Sequence, residues 1–310
     1  MTGFSTISAI LRGSWLIDSN YAESMLPIVH NILNKNSGIS MGPASKDAFE
    51  QYKNEEWQKF PQAGHIEAGV FVASRWESFN EAPDDSIAVI NISGPILKSG
   101  GECGEPGAIH FNSWIKMANA SPRIKGILLQ IDSPGGMVDG TQTVVDAIRS
   151  SEKPIVAFID DGMMASAATW IGTAAKEVYA SQKTDRIGSI GVFRTIYDYS
   201  GWFENNGIKV HEIYAPQSTD KNKDYYDALK GNYDPAKKQL AFIADQFISS
   251  VKSFREGKLD ISKGDPFTGK MFNADQAIEI GLIDGYMTIE QAVSRVYELA
   301  KNDSKTEVYI

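Results

Sequence analysis

The chain has 310 residues, 42% of them hydrophobic and 22% charged, with a formal net charge of −9. That is enough to bury one full core with an appendage, and the acidic balance argues against binding nucleic acid or an anionic membrane surface. A lone cysteine, Cys103, excludes an internal disulfide and a multi-cysteine zinc site, and four scattered histidines give no metal spacing, so no cofactor or metal is expected.

The start, Met1-Thr2-Gly3-Phe4-Ser5-Thr6, lacks a basic segment followed by an apolar run, so no secretory signal is read there. The most apolar window, Met163 to Ala175, is shorter than the roughly 20 residues a membrane span needs. A cytoplasmic protein without membrane insertion is expected. Residues 1–82 read as an N-terminal helical arm, with apolar periodicity over Tyr21–Asn34 and Ala48–Phe60 and a turn-rich linker between them.

From residue 83 to 297 the pattern alternates strand and helix. Ile87–Ile92, Gly126–Ile131 and Pro154–Ile159 read as strands. Helices are expected over Phe111–Asn119 and Gly140–Ser150, and from about Ala165. Continuous apolar strands between helices predict a largely parallel sheet covered on both faces, with the chemistry at the carboxyl ends of the strands. Two loops fall there, Asp132–Gly136 and Asp160–Ala165. Further on, Gly207–Tyr214 alternates like a strand. Helices are expected over Pro235–Glu256, Ala274–Ile280 and Ile289–Ala300, with 298–310 as a flexible tail.

In Ser133-Pro134-Gly135-Gly136, two glycines after a buried strand free backbone N–H groups to face a ligand, as an oxyanion hole requires. A plain turn has the same composition. Ser166, in Met164-Ala165-Ser166-Ala167-Ala168, opens a helix among small residues; it is either an ordinary N-cap or a nucleophile beside a helix N-terminus. Such a serine needs a base. His211 lies in the alternating Gly207–Tyr214 segment, while Lys221 and Lys223 lie in a polar loop that, taken alone, is simply solvated.

The order Ser-Pro-Gly-Gly, Met-Met-Ala-Ser-Ala-Ala, then Ile187-Gly188-Ser189-Ile190-Gly191-Val192 and a lysine loop resembles the S49 peptidase family, from residue 86 to about 297. This family includes signal peptide peptidase A and the capsid-assembly proteases of tailed phages. The resemblance implies a ClpP/crotonase-like α/β fold and a Ser–Lys dyad. Ser166 takes the nucleophile position, Ser189 orients the lysine, and Gly135 or Gly136 with the Ala167 amide forms the oxyanion hole. Asp284, in Gly281-Leu282-Ile283-Asp284, matches a closing motif read as structural. The lysine sits later than in the family's pattern, so Lys221 is the expected base with Lys223 as its competitor.

Ile10–Asp18 resembles the start of the phage proteases, which implies scaffold or head proteins as substrates, and the family implies a homo-oligomer. Rival readings are a signal-peptide-peptidase-like degradative enzyme, a head protein that keeps the fold without cutting, and a crotonase-type acyl-CoA enzyme. The last would need a catalytic carboxylate that the sequence does not mark.

Overall fold

The computed structural model describes residues 15–17, 62–100 and 105–306. The two expected N-terminal helices and Cys103 lie outside them. A mixed sheet forms the centre. Its parallel heart is β4 (Ser86–Ser93), β5 (Ile124–Ser133) and β7 (Ile155–Ala165), with β5 in the middle. Ile87, Ala88, Val89 and Ile90 are successive and all buried, as a strand covered on both faces must be.

One face is packed by α1 (Ala108–Ala120), α2 (Thr141–Arg149), α3 (Ala167–Thr173) and α7 (Ala274–Ile280). The other face, carrying Ile87, Leu128, Val156 and Phe158, is covered by α8 (Ile289–Thr306) through Ala292, Val293, Val296 and Leu299. Each of the larger side chains among these, taken from water, contributes roughly 1.5–3 kcal/mol. Leu299 is part of this core, and α8 runs on past residue 297, where a flexible tail was expected. Among the described residues no helix is long and apolar enough to cross a membrane.

The sheet begins earlier than the sequence pattern indicates. β2 (Gln62–Glu67) and β3 (Val70–Arg75) form a hairpin, and β2 pairs antiparallel with β4. Residues 62–75 thus belong with the sheet rather than with the helical arm. Their pattern is weak because β3 is mostly exposed and carries few apolar residues facing a core.

β7 is longer than the expected strand and forks. Its first half pairs with β8 (Glu177–Ala180), and its last three residues pair with β9 (Arg186–Gly188). β9 is bordered by β10 (Met271–Asn273), and β8 by β11 (Gly285–Tyr286). The expected Asp160–Ala165 loop is therefore the bent second half of a strand. Two carboxylates hold the bend. Asp185, 1% exposed, accepts from the N–H groups of Gly162 (2.9 Å), Ser181 (2.8 Å) and Gln182 (2.9 Å). Asp132 accepts from the Met163 N–H at 3.1 Å.

Beyond β9, α4 (Ser200–Asn205), α5 (Lys223–Leu229) and α6 (Asp234–Phe254) follow. Residues 208–214 form no strand in the structure. Ile213 is 94% exposed, so the alternation there reflects no sheet among the described residues.

Candidate active site

Ser166 joins the end of β7 to the start of α3. Its backbone, at φ 53° and ψ −115°, lies in a region side chains rarely adopt. Its side chain makes no capping bond, which separates it from the ordinary N-cap. Holding a non-glycine residue there costs about 1–3 kcal/mol and persists only where the surroundings enforce it.

The enforcing contacts are visible. The Ser166 N–H donates to the Gly188 carbonyl at 2.8 Å. The Thr169 hydroxyl lies within 2.8 Å of that carbonyl and 2.6 Å of the Met164 carbonyl, tying helix to strand. Behind the turn, Trp170 stacks on Phe247 of α6 with ring centroids 4.8 Å apart. Ala165, Ala167 and Ala168 are fully buried, so larger residues would not fit around the turn. A strand, a sharp turn at serine and a helix is the mechanical layout of a nucleophile elbow, here built without the Gly-x-Ser-x-Gly pattern.

Ser166 is itself 1% exposed, and its Oγ donates to the Gly191 carbonyl at 3.4 Å, a weak bond. Gly191 belongs to the Gly-Ser-Ile-Gly stretch singled out in the sequence. In that stretch Ser189 also has a positive φ, 52°, and its N–H donates to the Lys270 carbonyl at 2.7 Å. Lys270, Thr169 and Asp185 carry no motif of their own in the sequence. Only their surroundings, a helix after serine and a turn before Arg186, hint at their work.

The Pro-Gly-Gly turn lies alongside. β5 ends in register with β7, Ser133 against Met164, and α3 packs on the short strand β6 (Gly135–Met137). Gly135 has φ 95°, and its N–H donates to Ser133 Oγ at 3.1 Å. Ser133 Oγ in turn donates to the Gly94 carbonyl at 2.7 Å. At Gly136 a Cβ would lie 1.9 Å from the Ile96 carbonyl oxygen, so only glycine lets Ile96 pair this closely. The two glycines thus differ: the Gly135 amide is engaged within its own turn, whereas that of Gly136 is directed away from Ile96.

Neither Lys221 nor Lys223 is hydrogen-bonded to Ser166 among the described residues. Lys221 is exposed. Lys223 Nζ pairs with Asp227 at 2.5 Å, and that hydrogen bond and charge push the Lys223 amine above its ordinary pKa. A base needs the opposite shift. Lys221 sits in the turn before α5, and Lys223, expected in a loop, is the first residue of that helix, which is tied to the strand-end region. Arg194 pairs with Asp224 at 3.2 Å, and the Tyr225 hydroxyl donates to the Tyr197 carbonyl at 3.2 Å.

Comparison with known proteins identifies a peptidase family. Residues 147–303 match the profile described as Peptidase family S49, and residues 96–186 that of Clp protease. The chain is 29% identical over 228 residues to Protease 4 of Salmonella typhi, covering 70% of this chain and 35% of the relative. It is 28% identical over 217 residues to Head-tail preconnector protein GP5 of Enterobacteria phage P21, covering 68% and 42%. With Capsid assembly protease C of Escherichia phage lambda it shares 26% over 219 residues, covering 68% and 48%. The chain spans less than half the length of each of these three.

Proposed function

Because the chain belongs to peptidase family S49, we propose that it is an endopeptidase in which Ser166 is the nucleophile and Lys221 the base. The observation that carries this reading is the strained, uncapped, buried conformation of Ser166 at the strand–helix turn. Ser166 Oγ attacks the scissile carbonyl and gives its proton to the neutral Lys221 amine. The resulting ammonium then protonates the leaving amine. In the second half Lys221 takes a proton from the water that attacks the acyl-serine and returns it to Ser166 Oγ as the acid product leaves. The Ala167 and Gly136 amides receive the oxyanion. Ser189 orients the lysine.

A lysine serves as base only after desolvation lowers its pKa. Assembly into a homo-oligomer supplies that cover for the exposed lysine loop. Similarity to GP5 and to Capsid assembly protease C supports scaffold or head proteins as substrates, cut inside the bacterial host or its procapsids. The comparable identity to Protease 4 supports a second reading, a general degradative role. Cleavage of unstructured proteins without regard to sequence would favour this second reading.

The experiment is cleavage of an unfolded protein by wild type, Lys221→Ala and Lys223→Ala. Lys221→Ala is expected to lose about three powers of ten or more, with Lys223→Ala within a few-fold of wild type. The reverse order moves the base to Lys223. Two fully active variants would remove lysine from the mechanism.

A further inference from the structure

Trp15–Ile17 forms a short strand, β1, on the Pro-Gly-Gly turn. It pairs antiparallel with β6 in the register Trp15 to Met137, Leu16 to Gly136 and Ile17 to Gly135. The opposite edge of β6 is closed by Ile96. The Ile96 N–H donates to the Gly135 carbonyl, and the Met137 N–H to the Ile96 carbonyl, both at 2.8 Å. The Gly135 N–H is held by Ser133 Oγ. Alternate residues carry the hydrogen bonds of an antiparallel pair. With those groups committed, it is Gly136 that exchanges bonds with β1, through Leu16.

That edge is where a peptide substrate has to enter. β6 follows the strand end in register with Met164, two positions before Ser166, and α3 packs against it. A polypeptide bringing its scissile carbonyl to Ser166 gains main-chain affinity only by adding as a strand to the edge that Ile96 leaves open. The same edge presents the Gly136 amide. In the structure this edge is filled by the chain's own β1, and Ser166 is 1% exposed.

We propose that Trp15–Ile17 occupies the substrate-strand position as an internal competitor, and that the site accepts in its place an extended peptide carrying apolar residues such as Trp-Leu-Ile. The proposal rests on the peptidase reading of Ser166. It makes the β6 edge a peptide-binding surface whose availability is set by release of the N-terminal segment.

The test uses the full chain as Ser166→Ala, with and without Leu16→Pro, and a fluorescent peptide of residues 11–21. Proline has no N–H to return to the Gly136 carbonyl, so it breaks the pairing from the β1 side. The Leu16→Pro protein is expected to bind the peptide at least about tenfold more tightly, because the competitor has been removed. Hydrogen exchange over residues 134–138 is expected to quicken in that variant and to slow again with peptide bound. Affinities within about twofold of each other, absence of binding in both included, overturn the proposal. So does unchanged exchange. If Leu16→Pro misfolds, Leu16→Gly is expected to give the same order with a smaller effect. Binding is read in a protein that cannot cut, so failure of wild type to cleave counts against the peptidase reading alone. Cleavage by wild type without any affinity difference counts against the internal competitor alone.

Discussion

Replacing Ser166 with alanine is expected to lower the cleavage rate by roughly four powers of ten or more while leaving the fold intact. The asymmetry follows from what the side chain does. Among the described residues its one side-chain hydrogen bond is the 3.4 Å contact with the Gly191 carbonyl, too long to add much stability. The contacts that hold the turn belong to the Ser166 N–H and to Thr169, and alanine keeps them all. Alanine also suffers the positive φ no more than serine does. Single-turnover cleavage of an unfolded protein, with circular dichroism of both proteins, measures the two halves of the prediction. Retention of more than about a hundredth of the wild-type rate would falsify the assignment of Ser166 as nucleophile.

The largest stability loss is expected at Asp284, far from any bond-breaking role. Its carboxylate accepts from Arg255 Nη1 at 2.8 Å and Nη2 at 3.1 Å, from Lys258 at 2.6 Å and from the Val178 N–H at 2.8 Å. Arg255 is 1% exposed, and its Nε donates to the Gly281 carbonyl at 2.9 Å. Asp284→Ala leaves that guanidinium buried without its partner, a loss of about 3–5 kcal/mol. Burial alone would raise the Asp284 pKa, but Arg255, with help from Lys258 and the Val178 amide, outweighs it and holds the carboxyl below its usual range. A folded pKa below the unfolded one gives stability that is complete above the unfolded value, about 3.9, and fades as pH falls through the folded value. Urea midpoints of wild type and Asp284→Ala should therefore differ widely at pH 7 and converge in acid. A gap that does not narrow in acid would mean the ion pair is not its source.

The parallel heart of the sheet was legible because its strands are buried on both faces, and Ile87–Ile92 or Gly126–Ile131 cannot be anything but core. The hairpin over residues 62–75 is not, since its apolar run, Val70-Phe71-Val72-Ala73, is short and mostly exposed and shows no alternation between a core face and a solvent face. The bend at Asp160–Gly162 reads as a loop for a related reason: the N–H groups of Asp161, Gly162 and Met163 are taken by Ser181, Asp185 and Asp132, which stand outside the segment in sequence. Conversely, Gly207–Tyr214 alternates like a strand and pairs with nothing among the described residues, because alternation states a preference and a strand also needs a neighbour. Of the site, Ser166, Ser189 and the two glycines were read from their order along the chain. What spacing could not reveal was that the amides of Gly135 and Gly136 are put to different uses. Nor could it show that Lys223 is held by Asp227.

The backbone angles of Ser166 are those of the first central residue of a type II′ turn, a position that belongs to glycine. Natural selection for folding alone would place glycine there. Ser166→Gly is accordingly expected to be a more robust protein than the wild type, by about 1 kcal/mol in urea unfolding, and inert. A midpoint at or below that of wild type would mean that serine fits the turn without penalty. With Ser166 as the proposed nucleophile, reactivity and durability compete for one residue, and the fold gives up a small part of its resilience to keep a hydroxyl at that corner.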